Sequence, residues 1–370
     1  MLRNKLLIKQ KFMANKNLTN AKKAKNDEFY TQYRDIEKEI QAYLDYDENA
    51  FRDKTVYCNC DDPYESNFFG YFVLNFERLG LKSLITTSYK PSPIANTQLG
   101  LFGDDKTIKP QKGRPKINAN RFIINEVGDY DGDGEFSVKD VALQLQANKN
   151  NEWEPLNENG DFRSDECVEL LKQADIVVTN PPFSLFREYI KQLFDYDKKF
   201  VIIGNMNAIT YKEVFPLIKE NKMWLGNGFH AGNAYFATPN AREYANGVFD
   251  SEKGLVKFRN CCWFTNLDHG RRHQPLPLMT MSDNIKFNKQ IQKNENSYQK
   301  YDNYDAIEVP YTIAIPNDYE GVMGVPISFL DKYNPEQFEI VKFRHGDDDK
   351  DLQLPNGTCP YFRILIKHKK

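Results

Sequence analysis

The sequence predicts an α/β fold built on a mostly parallel sheet, followed by a second lobe of strands and long loops. Two observations carry this. From residue 55 to about 215, short apolar runs alternate with amphipathic ones, a β-α-β pattern that places strands side by side with helices on both faces. Past about residue 223 the alternation stops. Strand-like runs are then joined by polar connections rich in Asn and Tyr.

The strand candidates of the first region are residues 55–60 (TVYCNC), 83–88 (SLITTS), 121–127 (RFIINEV), 175–179 (DIVVT) and 200–205 (FVIIGN). Between them, residues 67–79, 164–174, 185–194 and 211–221 carry apolar side chains at helical spacing. In the second region residues 261–267, 338–344 and 361–367 read as strands, and residues 287–305 as an exposed loop or recognition element. In a sheet of this kind ligands bind beyond the carboxyl ends of the strands. The segments following the strands are therefore where chemistry is expected.

Composition narrows the class. Of 370 residues, 40% are hydrophobic, enough for a substantial core, yet no apolar run reaches the length of about 20 that spans a bilayer. The basic start (MLRNKLLIKQKFMANKN) has neither a long apolar core nor a small-residue cleavage site, so a cytoplasmic setting is expected. The six cysteines (58, 60, 167, 261, 262 and 359) lack paired zinc-site spacing and read as structural thiols. A net charge of −2 hides segregation. Residues 1–25 hold eight Lys or Arg and no acid, and His269-Gly270-Arg271-Arg272-His273 forms a second basic cluster. Either could neutralise phosphates, or be a basic tail and a solvated loop.

The chemistry is concentrated in Asn180-Pro181-Pro182-Phe183, directly after the apolar run 175–179. Consecutive prolines stiffen the backbone and remove two N–H donors. The result is a rigid lip whose acceptors, the Asn180 side-chain oxygen and the Pro181 carbonyl, can hold the two hydrogens of an amine, with Phe183 offering a stacking face. Such a lip suits an exocyclic amine on a planar ring, whose lone pair is delocalised. Held by two acceptors, the nitrogen becomes tetrahedral and its growing positive charge is stabilised as it attacks a methyl sulfonium. The bland alternative is a strand-to-helix turn.

Three further groups stand out. The run 55–60 leads into Asp61-Asp62-Pro63 and a helix starting near Ser66. Without a glycine-rich loop this argues against a pyrophosphate, and the acidic side chains suit a cationic methionine amine or ribose hydroxyls; otherwise they are an N-capping pair. Gly160-Asp161-Phe162-Arg163 precedes the helix that leads to the lip, so Asp161 could accept from an adenine amine while Phe162 packs on its ring, or the four could simply start the helix. Finally, Asp129, Asp131, Asp133, Glu135 and Asp140 fall at positions 1, 3, 5, 7 and 12 of a loop with Gly134 at position 6 and Ser137 at position 9. This matches the calcium-loop spacing of EF-hands and points to a structural Ca2+ within an insertion at 128–150. An Asp at position 12 reaches less far than Glu, and an acidic surface turn is the alternative.

At these residues the sequence resembles the EcoRI-type adenine-specific DNA methyltransferases. The string DIVVTNPPFSLFREY (175–189) carries the resemblance, with KNDEFYTQY (25–33), VYCNCDDPYESNFF (56–69), GDFRS (160–164), ITYKEVF (209–215), YDNYDAI (301–307) and GVMGVPISFL (321–330). It implies a Rossmann-like methyltransferase sheet using S-adenosylmethionine, with a C-terminal target-recognition lobe. It also implies a basic tail at 1–25, a catalytic core at 26–222 and a DNA-reading region at 223–370. Phe29 and Tyr30 would line the cofactor pocket, Asp61 and Asp62 would stand at an unusually Gly-poor cofactor motif, and Asn180 to Phe183 would be catalytic. The substrate would be an adenine flipped out of double-stranded DNA, with a cognate restriction endonuclease as an indirect partner and a monomer sufficient. Two rivals share features of the sequence: an amine methyltransferase acting on RNA or protein through the same lip, and a calcium-dependent binding protein on a degenerate methyltransferase fold.

Overall fold

The computed structural model describes residues 30–60, 66–88, 119–134, 136–137, 140, 143–144, 150–229, 233–237, 248–250, 252 and 254–369. The chain forms two compact units: Met1–Met206 with Gly228–Leu267, and Asn207–Asn227 with Asp268–Lys370. Among the described residues no helix is long and apolar enough to cross a membrane.

The first unit is organised by a mixed sheet whose strands lie in the order Glu152–Pro155, Asn120–Ile124, Ser83–Thr87, Thr55–Cys58, Ile176–Thr179, Lys199–Asn205 and Cys261–Thr265. The three pairings among Ser83–Thr87, Thr55–Cys58, Ile176–Thr179 and Lys199–Asn205 are parallel. Thr55–Cys58, Ser83–Thr87 and Ile176–Thr179 are buried along their whole length, as expected of strands covered on both faces.

The expected mostly parallel sheet is thus confined to its centre, and the flanks are antiparallel. A parallel neighbour needs a crossover of a dozen residues or more. Cys261–Thr265 is separated from its neighbour Lys199–Asn205 by far more than that, residues 206–260, and still runs antiparallel to it; a single residue, Asn260 at φ 66°, joins it to Leu255–Arg259 of a smaller antiparallel sheet. At the opposite edge Arg121 bridges to Glu154 at 2.5 Å, and charge on an exposed edge discourages pairing with other chains.

Local signals explain the helices. Ser66 and Ser164 accept main-chain N–H groups at the starts of Asn67–Leu74 and Asp165–Gln173. The helix expected over 67–79 breaks at Asn75 into Asn67–Leu74 and Phe76–Leu79, and Gly80 ends it in the left-handed conformation. Tyr33–Leu44 buries Ile36, Ile40 and Tyr43 at helical spacing. The thiols of Cys58, Cys167, Cys261 and Cys262 are buried, and burial pushes that of Cys261 up to about 12.

The second unit contains a sheet in the order Ala306–Glu308, Val322–Pro326, Arg363–His368 and Phe338–Phe343. Residues 287–305, read as an exposed loop or recognition element, are exposed or half-buried except at Ile291 and Tyr301, where the reading is corrected. Lys289–Gln292 is a helical turn with Ile291 buried, and Tyr301 belongs to a core cluster with Ala306, Leu352, Leu354 and Leu365. The sequence misled because Tyr301 carries a polar tip in an Asn-rich stretch. Its hydroxyl donates to buried Glu308, which is also paired with Arg363 at 2.6 Å.

Candidate active site

The strand order reverses at one place. From Thr55–Cys58 the chain proceeds outward through Ser83–Thr87, Asn120–Ile124 and Glu152–Pro155, then returns to lay Ile176–Thr179 on the other side of Thr55–Cys58. Ligand crevices of open α/β sheets form at such a switch point, beyond the carboxyl ends of the strands. The two segments that follow these strands are 59–65 and 180–185. They contain the acidic turn and the proline lip.

The lip is anchored on both sides. Asp175 and Thr55 exchange hydrogen bonds at the starts of the two strands, 2.8 and 2.9 Å long. At the other end Thr179 is fully buried, and its hydroxyl donates to the main-chain carbonyl of Asn59. Asn180 then emerges half-buried, Pro181 is buried, and Pro182 and Phe183 are half-buried. The Pro182 carbonyl accepts the Leu185 N–H at 2.9 Å, starting the turn Phe183–Leu185 that runs directly into the helix Phe186–Asp195. Phe183 rests against the main core cluster.

Asn59 and Tyr189 are site neighbours that the sequence reading passed over. Asn59 is 2% exposed and Tyr189 is fully buried, and the Tyr189 hydroxyl donates to Asn59 Oδ1. The available signal was a polar residue inside the apolar run TVYCNC. Tyr189, at helical spacing with Phe186, Ile190 and Leu193, is by sequence an ordinary core aromatic.

The Gly160–Arg163 turn joins the same neighbourhood. Phe162 is buried and packs edge-on to Tyr189, with ring centroids 4.9 Å apart, and its carbonyl accepts from Gln192 at 3.0 Å. The Asp161 carboxylate receives the Arg163 side chain through both oxygens, at 2.9 and 2.7 Å. Those bonds are the main cause that holds its carboxyl below the usual range. Asp161 therefore meets any ligand with its acceptors already engaged by Arg163. Tyr30 lies in the short strand Tyr30–Thr31, next to Thr31, whose carbonyl accepts from Asn67 at 2.7 Å at the start of the helix after the acidic turn. Phe29, Asp61 and Asp62 lie outside the described residues, as does Glu135 of the acidic loop.

Of the described polar residues at the two strand ends, Asn59, Ser66 and Thr179 are buried, and Cys60 and Asn180, both neutral, are half-buried. That set fits a cofactor bound through hydroxyl, amine and ring-edge contacts, and offers no cation for a phosphate.

In the acidic loop, carboxylate oxygens of Asp129, Asp131 and Asp133 come within 4.8 Å of one another. Gly132 and Gly134 both take positive φ, and their N–H groups donate to Asp129 at 2.7 and 2.8 Å. Asp140 closes the loop. Although burial opposes it, hydrogen bonds from the N–H groups of Asp131, Ser137 and Tyr130 and from the Ser137 hydroxyl bring its carboxyl down to about 2.

The cluster at residues 269–273 is committed within its own unit. Arg272 stacks on Trp224 with its guanidinium carbon 3.6 Å from the ring centroid and bonds Asp268 and Asn221. Arg271 pairs with Asp331 at 2.5 Å, and His273 bridges Asp268 and Glu336 at 2.8 and 2.9 Å. The expectation that this run neutralises phosphates is replaced by an internal ion-pair network. The adjacent Asp268 and the sequence-distant Asp331 and Glu336 supply the acids.

Comparison with known proteins gives the family. The family model described as adenine-specific methyltransferase EcoRI matches residues 17–369. The Type II methyltransferase M.EcoRI of Escherichia coli is 48% identical over 361 residues, covering 96% of this chain and 97% of that protein. M.MpnI of Mycoplasma pneumoniae is 36% identical over 373 residues, covering 95% and 97%. M.MgeORF184P of Mycoplasma genitalium is 34% identical over 373 residues, covering 95% and 98%. No solved structure matches the chain at a comparable level. With the family model covering nearly its whole length, the chain belongs to the EcoRI family of adenine-specific methyltransferases.

Proposed function

We propose that the protein is a site-specific DNA methyltransferase acting on the N6 amine of a flipped-out adenine, in a restriction-modification or mobile-element setting in the cytoplasm. The observation that carries the reading is the position of Asn180 to Phe183. They leave the sheet beside the end of Thr55–Cys58, at the switch point, on a stiff and anchored lip.

S-adenosylmethionine, when bound, supplies a methyl group on a sulfonium. Tyr30, Asp61, Asp62, Asp161 and Phe162, with Phe29, are the residues proposed to hold it; Phe162, being buried, would shape the wall through Tyr189 rather than lie open. The rest is work for the lip. Asn180 Oδ1 and the Pro181 carbonyl accept the two amine hydrogens and favour a tetrahedral nitrogen, whose lone pair is localised instead of conjugated with the ring. As the N–C bond formed and the methyl–sulfur bond broke, with the neutral thioether as leaving group, the same acceptors would stabilise positive charge on nitrogen, and one amine proton would then leave to water. Phe183 stacks on the extruded base and returns on the order of 1–3 kcal/mol of lost stacking. The lone-pair geometry does the activating, so no group with a tuned pKa is needed at the attack step.

DNA reading is assigned to the region from residue 223 on, supported by exposed Ile285 and Phe287 beside exposed Lys286, Lys289 and Lys293. One copy suffices for a reaction carried out one strand at a time, and a cognate endonuclease would share only the target. Transfer of labelled methyl from S-adenosylmethionine into DNA, with the product nucleoside identified, tests the assignment against RNA or protein as substrate. A structural Ca2+ on Asp129, Asp131, Asp133, Glu135 and Asp140 is a second reading, favoured by the three clustered carboxylates. It requires calcium, and not magnesium at equal concentration, to raise the melting temperature of the native protein but not of Asp129→Ala.

A further inference from the structure

We infer that Asn59, Thr179 and Tyr189 form a buried positioning device that sets the distance between the methyl donor's strand end and the lip. The inference rests on the proposed methyl transfer. Its basis is that three segments serving different parts of the reaction meet at one residue, Asn59. Asn59 follows Thr55–Cys58 and stands two residues before the acidic turn. Its main-chain carbonyl takes the hydroxyl of Thr179, the residue before Asn180. Its side-chain Oδ1 takes the hydroxyl of Tyr189, on the helix that the lip runs into. The Tyr189 ring in turn packs on Phe162, whose carbonyl is held by Gln192 one turn along the same helix.

All three residues are at most 2% exposed, which makes the bonds stiff. A buried hydroxyl or amide oxygen left without its partner has no water to turn to, so the alternative arrangements are costly. The reaction makes such stiffness matter. With no base to tune, its acceleration comes from holding a nitrogen and a methyl carbon at attack distance, and a misplacement of about 1 Å costs on the order of 10²-fold. Ordinary packing would need only an apolar contact at these positions. Here two hydroxyls converge on the two oxygens of one asparagine.

The test compares Tyr189→Phe, Thr179→Val and Thr179→Ser with the native full-length protein. The readouts are kcat, KM for S-adenosylmethionine and for DNA, and the melting temperature. For Tyr189→Phe and Thr179→Val the expected result is a fall in kcat of about 10–100-fold, with each KM within about threefold. Thr179→Ser keeps the hydroxyl and should recover most of the native kcat. Native kcat in both hydroxyl-deletion variants would overturn the inference. So would a parallel loss of kcat, KM and melting temperature that Thr179→Ser fails to rescue, since that describes packing alone. A native protein that transfers no methyl to DNA overturns both this inference and the function beneath it, whereas unaffected variants of an active native enzyme overturn the inference alone.

Discussion

Gly160 lies directly against the main-chain carbonyl oxygen of Ser88: a Cβ there would come within 2.0 Å of that oxygen and 2.9 Å of the Ala119 Cβ. A side chain there would collide with backbone that cannot move aside, and the φ of Gly160 is +75°. This close approach seats the Asp161–Arg163 turn against the end of Ser83–Thr87. Gly160→Ala is expected to lose roughly 1–2 kcal/mol from left-handed backbone alone, with the contact adding to it. Chemical denaturation checks the loss, and weaker S-adenosylmethionine binding in the folded fraction should accompany it. Native stability in Gly160→Ala would mean that the turn is free to shift.

The second unit depends on an ion pair at its core. Glu308 is 2% exposed, holds Arg363 at 2.6 Å and accepts from Tyr301, which itself fills the space that a side chain on Gly324 would need. Glu308→Gln leaves the Arg363 charge buried without a counter-charge, and breaking such a pair costs about 3–5 kcal/mol. The midpoint of urea unfolding should fall accordingly. Replacing both partners by apolar residues of similar volume should restore part of the loss, because neither then leaves a charge stranded.

His269 gives a pH dependence of known sign. Burial is the largest influence and holds its imidazole below the ordinary value, reinforced by Arg272 and Arg271 and opposed by the bond to the Leu225 carbonyl and by Asp268. The unfolded chain therefore takes up the proton first on acidification. The contribution is present above the unfolded pKa of about 6.5 and is lost as the pH falls below it. Urea midpoints at about pH 7.5 and 5.5 should differ less for His269→Gln, which keeps an N–H for the carbonyl and cannot titrate, than for the native protein. An unchanged difference would remove His269 from the account.

What the sequence disclosed follows from how far each signal reaches. The four central strands are continuous apolar runs, and their period and flanking turns lie within a few residues, so Thr55–Cys58, Ser83–Thr87, Ile176–Thr179 and Lys199–Asn205 were all legible. Asn180 to Phe183 were legible for the same reason, since a proline pair after a strand is a local statement about backbone. Antiparallel flanks were not, because an apolar run reads the same in both directions and the long connections 88–119 and 206–260 permit either. Arg271, Arg272 and His273 looked like a free basic run because, apart from the adjacent Asp268, their partners Asp331, Asn221 and Glu336 lie about 50 to 63 residues away. Asn59 and Tyr189 stayed hidden likewise: 130 residues separate two side chains that share one hydrogen bond.

The most direct test uses the lip itself. Native protein and Asn180→Ala are incubated with methyl-labelled S-adenosylmethionine and unmethylated genomic DNA, with RNA in parallel, and the labelled nucleoside is identified after digestion. Asn180 sits on a scaffold fixed by Thr179 and Asn59, so its replacement should leave the fold and cofactor affinity in place. Transfer should drop by about 10²–10³-fold, as for the loss of one preorganised group at a charge-developing atom. On the proposed function, N6-methyladenine is expected from the native protein on DNA and almost none from Asn180→Ala. Label confined to RNA, or undiminished N6-methyladenine from Asn180→Ala, would contradict it.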